Sequence, residues 1–333
     1  MILGFSLASY AVVANDAIQT LGTFLASNAR RSWWVLWMYG SGILAATLLY
    51  AWWFNDGDVS YGRLEAIPRP EALSWVHLIP PLALLALTRW GAPVSTTFLL
   101  LTAFSPKGLG DMLSKSVLGY GVAFLAAIVI YLAVAWTVEK RFLETADQPA
   151  PAYWTALQWV STGFLWTQWL VQDLANIFVY LPRKLAFEHL VGAIVLMSAI
   201  QMVTFYRRGG EIQRVVTSKT NTDDIRSATI VDFIYAVILA VFADWSRVPM
   251  STTWVFIGLL AGRELALTLR LAVRSQADTL RIVFSDLGKA TAGIAVSVVV
   301  ASSLPWMLEA ADRTSAVLAE EAMAAIQGAP ALR

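Results

Sequence analysis

Ala14-Asn15-Asp16-Ala17-Ile18-Gln19-Thr20-Leu21-Gly22-Thr23 lies inside an otherwise apolar N-terminal segment, residues 2–25, long enough to cross a bilayer. An aspartate at the centre of a spanning helix costs about 2.5–3.5 kcal/mol on insertion scales, and ionisable residues kept there mark ion or substrate pathways. The pattern returns 157 positions later as Val171-Gln172-Asp173-Leu174-Ala175-Asn176. Each copy has an aspartate, an amide residue just before it and another three places on, with Asn and Gln exchanged. Three residues make nearly one helical turn, so Asp16 shares a face with Gln19, and Asp173 with Asn176.

A second landmark follows each copy. Pro93-Val94-Ser95-Thr96-Thr97 comes after Asp16, and Pro249-Met250-Ser251-Thr252-Thr253 after Asp173. Asp16 to Ser95 is 79 positions and Asp173 to Ser251 is 78. A helix cap or a polar packing cluster explains either motif alone. Two different polar motifs, in one order and at one spacing, point instead to an internal duplication.

Of the 333 residues, 58% are hydrophobic and 14% charged, against about 25% charged in a soluble domain. The expected class is an all-α polytopic membrane protein, multi-pass in a lipid bilayer (the inner membrane in a bacterial cell), with no room for a separate soluble domain. A net charge of +1 gives no reason to expect a nucleic-acid partner. The absence of cysteine removes disulfides, thiolate nucleophiles and Cys-ligated metals. His77 and His189 fall near predicted membrane edges, where an interfacial role is expected. An intramembrane hydrolase needs a nucleophile with a base, or a metal. No such set is legible, so no enzymatic activity is expected. The first segment lacks a basic n-region and a cleavage site, so it is expected to be retained. Trp33, Trp34, Trp52 and Trp53 suit interfacial belts.

Taken in order, residues 2–29 form the first segment, and Arg30 and Arg31 place its end in the cytoplasm. Residues 33–54 span, 55–71 form a polar loop, and 73–90 span before Gly91 and Pro93 break the helix. Residues 94–104 are apolar after their hydroxyls but too short to span, which predicts a re-entrant half-helix. Ser105-Pro106-Lys107-Gly108 turns the chain, 116–138 span, and the charged stretch 139–151 separates the halves. In the second half, 154–180, 190–206 and 228–243 span, and 249–262 is a second short hydroxyl-headed segment. Residues 263–281 read as amphipathic and basic, with Arg263 and Glu264 as an interfacial pair. Residues 291–308 form the last segment. The expected units are a first repeat, 1–145, a second repeat, 153–308, and a tail, 309–333. Counting one crossing per full segment makes the halves parallel and puts loop 207–226, with five basic and three acidic residues, outside. The positive-inside rule opposes that placement, so two inverted repeats with broken helices and re-entrant helical hairpins are expected.

A proline-led half-helix followed by Ser-Thr-Thr suits an anion: first-turn N–H groups are free, the helix terminus is positive, and hydroxyls donate. Ser95, Thr96, Thr97, Ser251, Thr252 and Thr253 are therefore candidate anion ligands. Carboxylate and amide oxygens suit a hard cation, so Asn15, Asp16, Gln19, Gln172, Asp173 and Asn176 are candidate cation ligands. Asp16 and Asp173 would be the charged ligands of Na⁺, with helix unwinding at the motif adding carbonyls. Together they describe an ion-coupled symporter of an inorganic oxyanion. Lys115 and Lys289, each four residues before a glycine, read as snorkelling side chains.

The Asn-Asp-x-x-Gln-Thr-x-Gly-Thr run at 15–23 and Pro-Val-Ser-Thr-Thr at 93–97 resemble signatures of the inorganic phosphate transporter (PiT) family, as do their second-half counterparts. The resemblance covers about residues 2–308. It implies inverted repeats, transport of phosphate, or of sulfate as in some bacterial relatives, and Na⁺ or H⁺ as coupling ion with no other cofactor. The sequence departs from the family at Val13, in place of a glycine, at Val179, the counterpart of Gly22, and at Phe98 and Trp254, where the family has histidine. These changes leave phosphate against sulfate open. They also keep a non-transporting receptor or scaffold with the same fold as the alternative. A homodimer is left open.

Overall fold

The computed structural model describes residues 1–70, 73–89, 94–105, 108–209, 213, 222–245 and 250–328. Pro93 and Pro249, the Pro106-Lys107 turn and most of the loop 207–226 fall outside them. The described residues are helical or irregular. Helices α1 (Ile2–Ser27) and α2 (Trp33–Phe54) come first. A 3₁₀ turn, Trp75–Leu78, leads into α3 (Ile79–Arg89), and Thr97–Leu101 forms a single π-helical turn. α4 (Leu109–Val134) passes through a π-helical turn, Ala135–Glu139, into α5 (Lys140–Glu144). The second half holds α6 (Ala152–Phe178), α7 (Phe187–Tyr206), α8 (Ile225–Trp245), α9 (Thr252–Leu271) and α10 (Gln276–Gly328).

Among the described residues, five stretches are long and apolar enough to cross a membrane: Trp33–Phe54, Leu109–Glu144, Phe187–Tyr206, Ile225–Ala243 and Gln276–Ala311. Their outer faces carry exposed Leu125, Val129, Val195 and Val299, as lipid-facing helices do. The polar residues of α1 and α6 instead turn inward, because hydrocarbon offers them no hydrogen bonds. Several long apolar helices packed across long sequence separations make this a multi-pass membrane fold.

α1 packs antiparallel on α6, and α2 on α7. On α1 and α6, Phe5 meets Phe178 with ring centroids 5.4 Å apart, while Phe24 meets Trp159 at 5.3 Å. Asn28 Nδ2 then donates to Gln158 Oε1 at 2.9 Å. On α2 and α7, Trp33 meets Tyr206 at one end, Ser41 donates to Gln201 in the middle, and Trp52 packs on Phe187 at the other. α4 packs closely on α9, where Gly258 and Gly262 lie against the carbonyls of Tyr120 and Phe124. A Cβ at either glycine would collide with backbone, the small-residue device by which membrane helices approach closely. α10 in turn packs on the Thr97–Leu101 turn.

Several expectations are corrected. α1 and α6 run unbroken through Asp16 and Asp173, with side-chain amides and threonine hydroxyls reaching the carboxylates without opening the backbone. The second hydroxyl-headed segment is a 20-residue helix rather than a short one. It continues because Arg263 and Glu264 find partners inside the protein. The chain breaks only at Ala272, in the left-handed region at φ 50°, so 263–281 is not one amphipathic element. Glu139 is itself buried, at the end of a π-helical turn, not in a polar linker. The tail continues α10 to Gly328. His77 is buried and closes a capping box with Ser74 rather than facing the interface.

Candidate functional site

All twelve residues singled out from the sequence are buried, each at most 3% exposed. The hydroxyl and carboxylate motifs form one cluster instead of two separate sites. Thr96 Oγ1 donates to Asp16 Oδ2 at 2.5 Å, and Thr253 faces the same carboxylate from the other half. Thr97 Oγ1 lies 3.5 Å from Asp173 Oδ1, and Thr252 faces that carboxylate. The second hydroxyl residue of each Ser-Thr-Thr thus serves its own half's aspartate, and the third serves the other's. The same exchange recurs at the backbone. Thr97 Oγ1 donates to Met250 O at 3.1 Å and Thr253 Oγ1 to Val94 O at 3.2 Å, each acceptor being the residue just before Ser-Thr-Thr.

The serines do different work. Ser95 Oγ accepts from Phe98 N at 3.3 Å and Ser251 Oγ from Trp254 N at 3.4 Å, so each caps the first turn behind it. Ser116, on α4, accepts the Ser251 N–H at 2.8 Å.

The amides tie each aspartate to its own helix. Asn15 Nδ2 donates to Asp16 Oδ1 at 2.6 Å and to Val94 O at 2.7 Å, and Gln19 Nε2 lies 3.3 Å from Asp16 Oδ1. Asn176 Nδ2 donates to Asp173 Oδ1 at 2.6 Å and reaches Thr96 and Thr97 at 3.0 and 3.3 Å. Gln172 Nε2 departs from the pattern and donates to Leu239 O at 3.1 Å. With their N–H groups so used, the oxygens are left over. Asn15 Oδ1, Gln19 Oε1, Gln172 Oε1, Asp173 Oδ2 and Asn176 Oδ1 are buried acceptors without a hydrogen-bond partner among the described residues. Each such group costs about 1–3 kcal/mol, and native interiors leave few of them. Four of them, those of Asn15, Gln19, Asp173 and Asn176, lie on residues bonded within the cluster, an environment suited to cations bound through hard oxygen ligands.

Three features escape sequence reasoning. Asp232 is buried on α8 and accepts hydrogen bonds from Thr23 Oγ1 at 2.5 Å and Thr162 Oγ1 at 2.6 Å, on the two motif-bearing helices. A lone aspartate in an apolar segment is a signal that points to it. Arg63, from the polar loop, is 3% exposed, and its Nε donates to Val171 O at 2.8 Å. Nothing local in the sequence marks it. Arg263 bonds Glu139 Oε1 at 2.5 Å and Ser227 Oγ at 2.6 Å, and contacts Glu264 at 3.3 Å, all in the interior. Lys115 is half-buried, while Lys289 is exposed.

No protein-family model matches the chain, and no curated protein matches it in sequence. Among solved structures, one described as "The sodium-dependent phosphate transporter" superposes with a TM-score of 0.61 at 15% identity, covering 92% of this chain and 97% of that one. The chain is therefore similar to that transporter in fold along nearly its whole length.

Proposed function

We propose that the protein is an ion-coupled symporter of an inorganic oxyanion, phosphate or sulfate, driven by Na⁺ or H⁺ and built from two inverted repeats. The observation that carries this reading is the reciprocal hydroxyl–carboxylate cluster, with five unpartnered acceptor oxygens in the interior. A cluster so rich in acceptors needs cations to be stable, and cations in turn make room for an anion. The positive N-terminal potential of α9, at Ser251-Thr252-Thr253, favours that anion.

Inversion is supported by the antiparallel packing of α1 on α6 and of α2 on α7. It is also supported by Trp75–Arg89, 15 residues and roughly 22–25 Å long. That is short of the roughly 30 Å hydrocarbon core. Paired with 94–104 as a re-entrant hairpin, it removes one crossing before Asp173 and reverses the second half. The likeness in fold to a sodium-dependent phosphate transporter agrees with this reading.

The test is uptake of radiolabelled phosphate and sulfate into proteoliposomes, side by side, under an inward Na⁺ gradient and separately under a pH gradient. Uptake of one anion under one gradient is expected. Uptake of neither refutes the reading and favours a receptor or scaffold that retains the fold.

A further inference from the structure

The loop after α2 is a folded device that carries one cation to the site. The Asp58 carboxylate accepts Ser60 N and Ser60 Oγ at 2.7 and 2.6 Å and Gly62 N at 2.7 Å. Tyr61 and Gly62 take left-handed φ values, and Arg63 N closes a turn onto Ser60 O at 3.1 Å. The loop is fastened to the second half as well: Leu185 N donates to Gly57 O at 3.0 Å, and Arg183 Nη2 to Ile67 O at 3.1 Å. So held, Arg63 enters the interior beside α6. Its Nε is fixed on Val171 O, two residues before Asp173, and its guanidinium lies within electrostatic reach of the Asp173 carboxylate. Among the described residues, Arg63 Nη1 is buried without a hydrogen-bond partner, and so is Asp173 Oδ2.

An arginine cannot shed its charge, and a buried N–H left unpaired is costly. Two partners suit it: the Asp173 carboxylate, or an oxyanion. Which one it serves depends on Asp173. A bare carboxylate attracts the guanidinium and repels an anion. A carboxylate neutralised by a cation does neither.

We propose that Arg63 contacts the transported oxyanion through Nη1, and that cation occupancy at Asp173 makes it available. Arg63 then links the two ligands: by reciprocity, the cation tightens anion binding by the factor by which the anion tightens cation binding. This inference rests on the symport reading and adds to it the residue through which coupling acts.

The test measures the apparent KM for phosphate and sulfate in proteoliposomes across a series of cation concentrations, for wild type, Arg63→Gln and Arg63→Lys. Thermal unfolding in detergent is run on each. Losing a hydrogen bond to a charged partner predicts an anion KM about 10–100-fold higher in Arg63→Gln at saturating cation, with its dependence on cation flattened. Arg63→Lys keeps the charge but not the fork. It should raise KM severalfold while retaining the cation dependence. A purely structural role would lower the melting temperature and the maximal rate and leave KM in place. A folded Arg63→Gln with unchanged anion KM overturns the proposal. If that variant does not fold, an unchanged KM in Arg63→Lys overturns it. Wild-type protein that moves neither anion refutes the symport reading first, and this inference with it.

Discussion

Thr96→Val removes one hydroxyl while keeping the shape of the side chain, and the structure says what that hydroxyl holds. Thr96 Oγ1 donates to Asp16 Oδ2 at 2.5 Å and accepts from Asn176 Nδ2 at 3.0 Å. It thereby joins the first aspartate to the second half. Asp16 would keep Asn15 and Gln19, and Asn176 would keep Asp173 and Thr97. The loss is therefore dominated by one charge-assisted bond, about 1.5–3 kcal/mol, or roughly tenfold to hundredfold in an equilibrium constant. Because the exchange between halves is reciprocal, Thr252→Val should have a matching effect through Asp173. The assay is the apparent KM for anion and coupling cation in proteoliposomes, with the melting temperature in detergent. Ser95→Ala and Ser251→Ala remove helix caps, so about 0.5–2 kcal/mol of stability should go with them. Ser105, in the turn beyond the cluster, is the control, and its replacement by Ala should change little. If Thr96→Val and Thr252→Val leave both KM values at wild type, the hydroxyls are packing groups and the ligand site lies elsewhere.

Neutralising Asp16→Asn or Asp173→Asn should abolish gradient-driven uptake while the protein still elutes as a monodisperse species; wild-type uptake by both variants would remove the carboxylates from the mechanism. The melting temperature of the wild type should rise with the coupling cation by linkage, about 2.7 kcal/mol at one hundred times the Kd, and neither variant should show the full rise. Removing one partner of the buried Glu139–Arg263 pair, as in Glu139→Gln, should lower the melting temperature, because it breaks a buried ion pair and leaves Arg263 with Glu264 alone as its counter-charge. Gly262→Val should lower the melting temperature by wedging α9 off the Phe124 carbonyl on α4, whereas Gly288→Ala, on an open surface, should not.

The two aspartate motifs and the two Ser-Thr-Thr runs were legible because intramembrane polarity is costly, so residues of that kind stand out against apolar sequence. Helix count and approximate bounds were legible for the same reason: apolar runs end where charge, proline or glycine begins. The errors share a cause as well. Glu139, Arg263 and Glu264 looked like interfacial or linker residues because each is charged, and a charge in sequence carries no record of its partner. In the fold they neutralise one another, and the helices run on through them. The expectation of unwound helices at Asp16 and Asp173 failed for the complementary reason. The donors that reach those carboxylates include Thr96 and Thr97, about 80 positions away in the chain.

By itself the sequence determined the membrane class and picked out the buried polar motifs, because each follows from composition, spacing or local period. Only the tertiary structure decided which hydroxyl meets which carboxylate, that α1 runs antiparallel to α6 and α2 to α7, and that Asp232 and Arg63 stand beside the motifs. Those facts rest on contacts between segments far apart in the chain, and no local pattern encodes which distant side chain will arrive. Arg63 is the clearest case. Its neighbours in sequence make a polar loop, and its partner Val171 lies 108 positions on. What places its charge in the interior is the set of turns and cross-half hydrogen bonds that fold the loop inward.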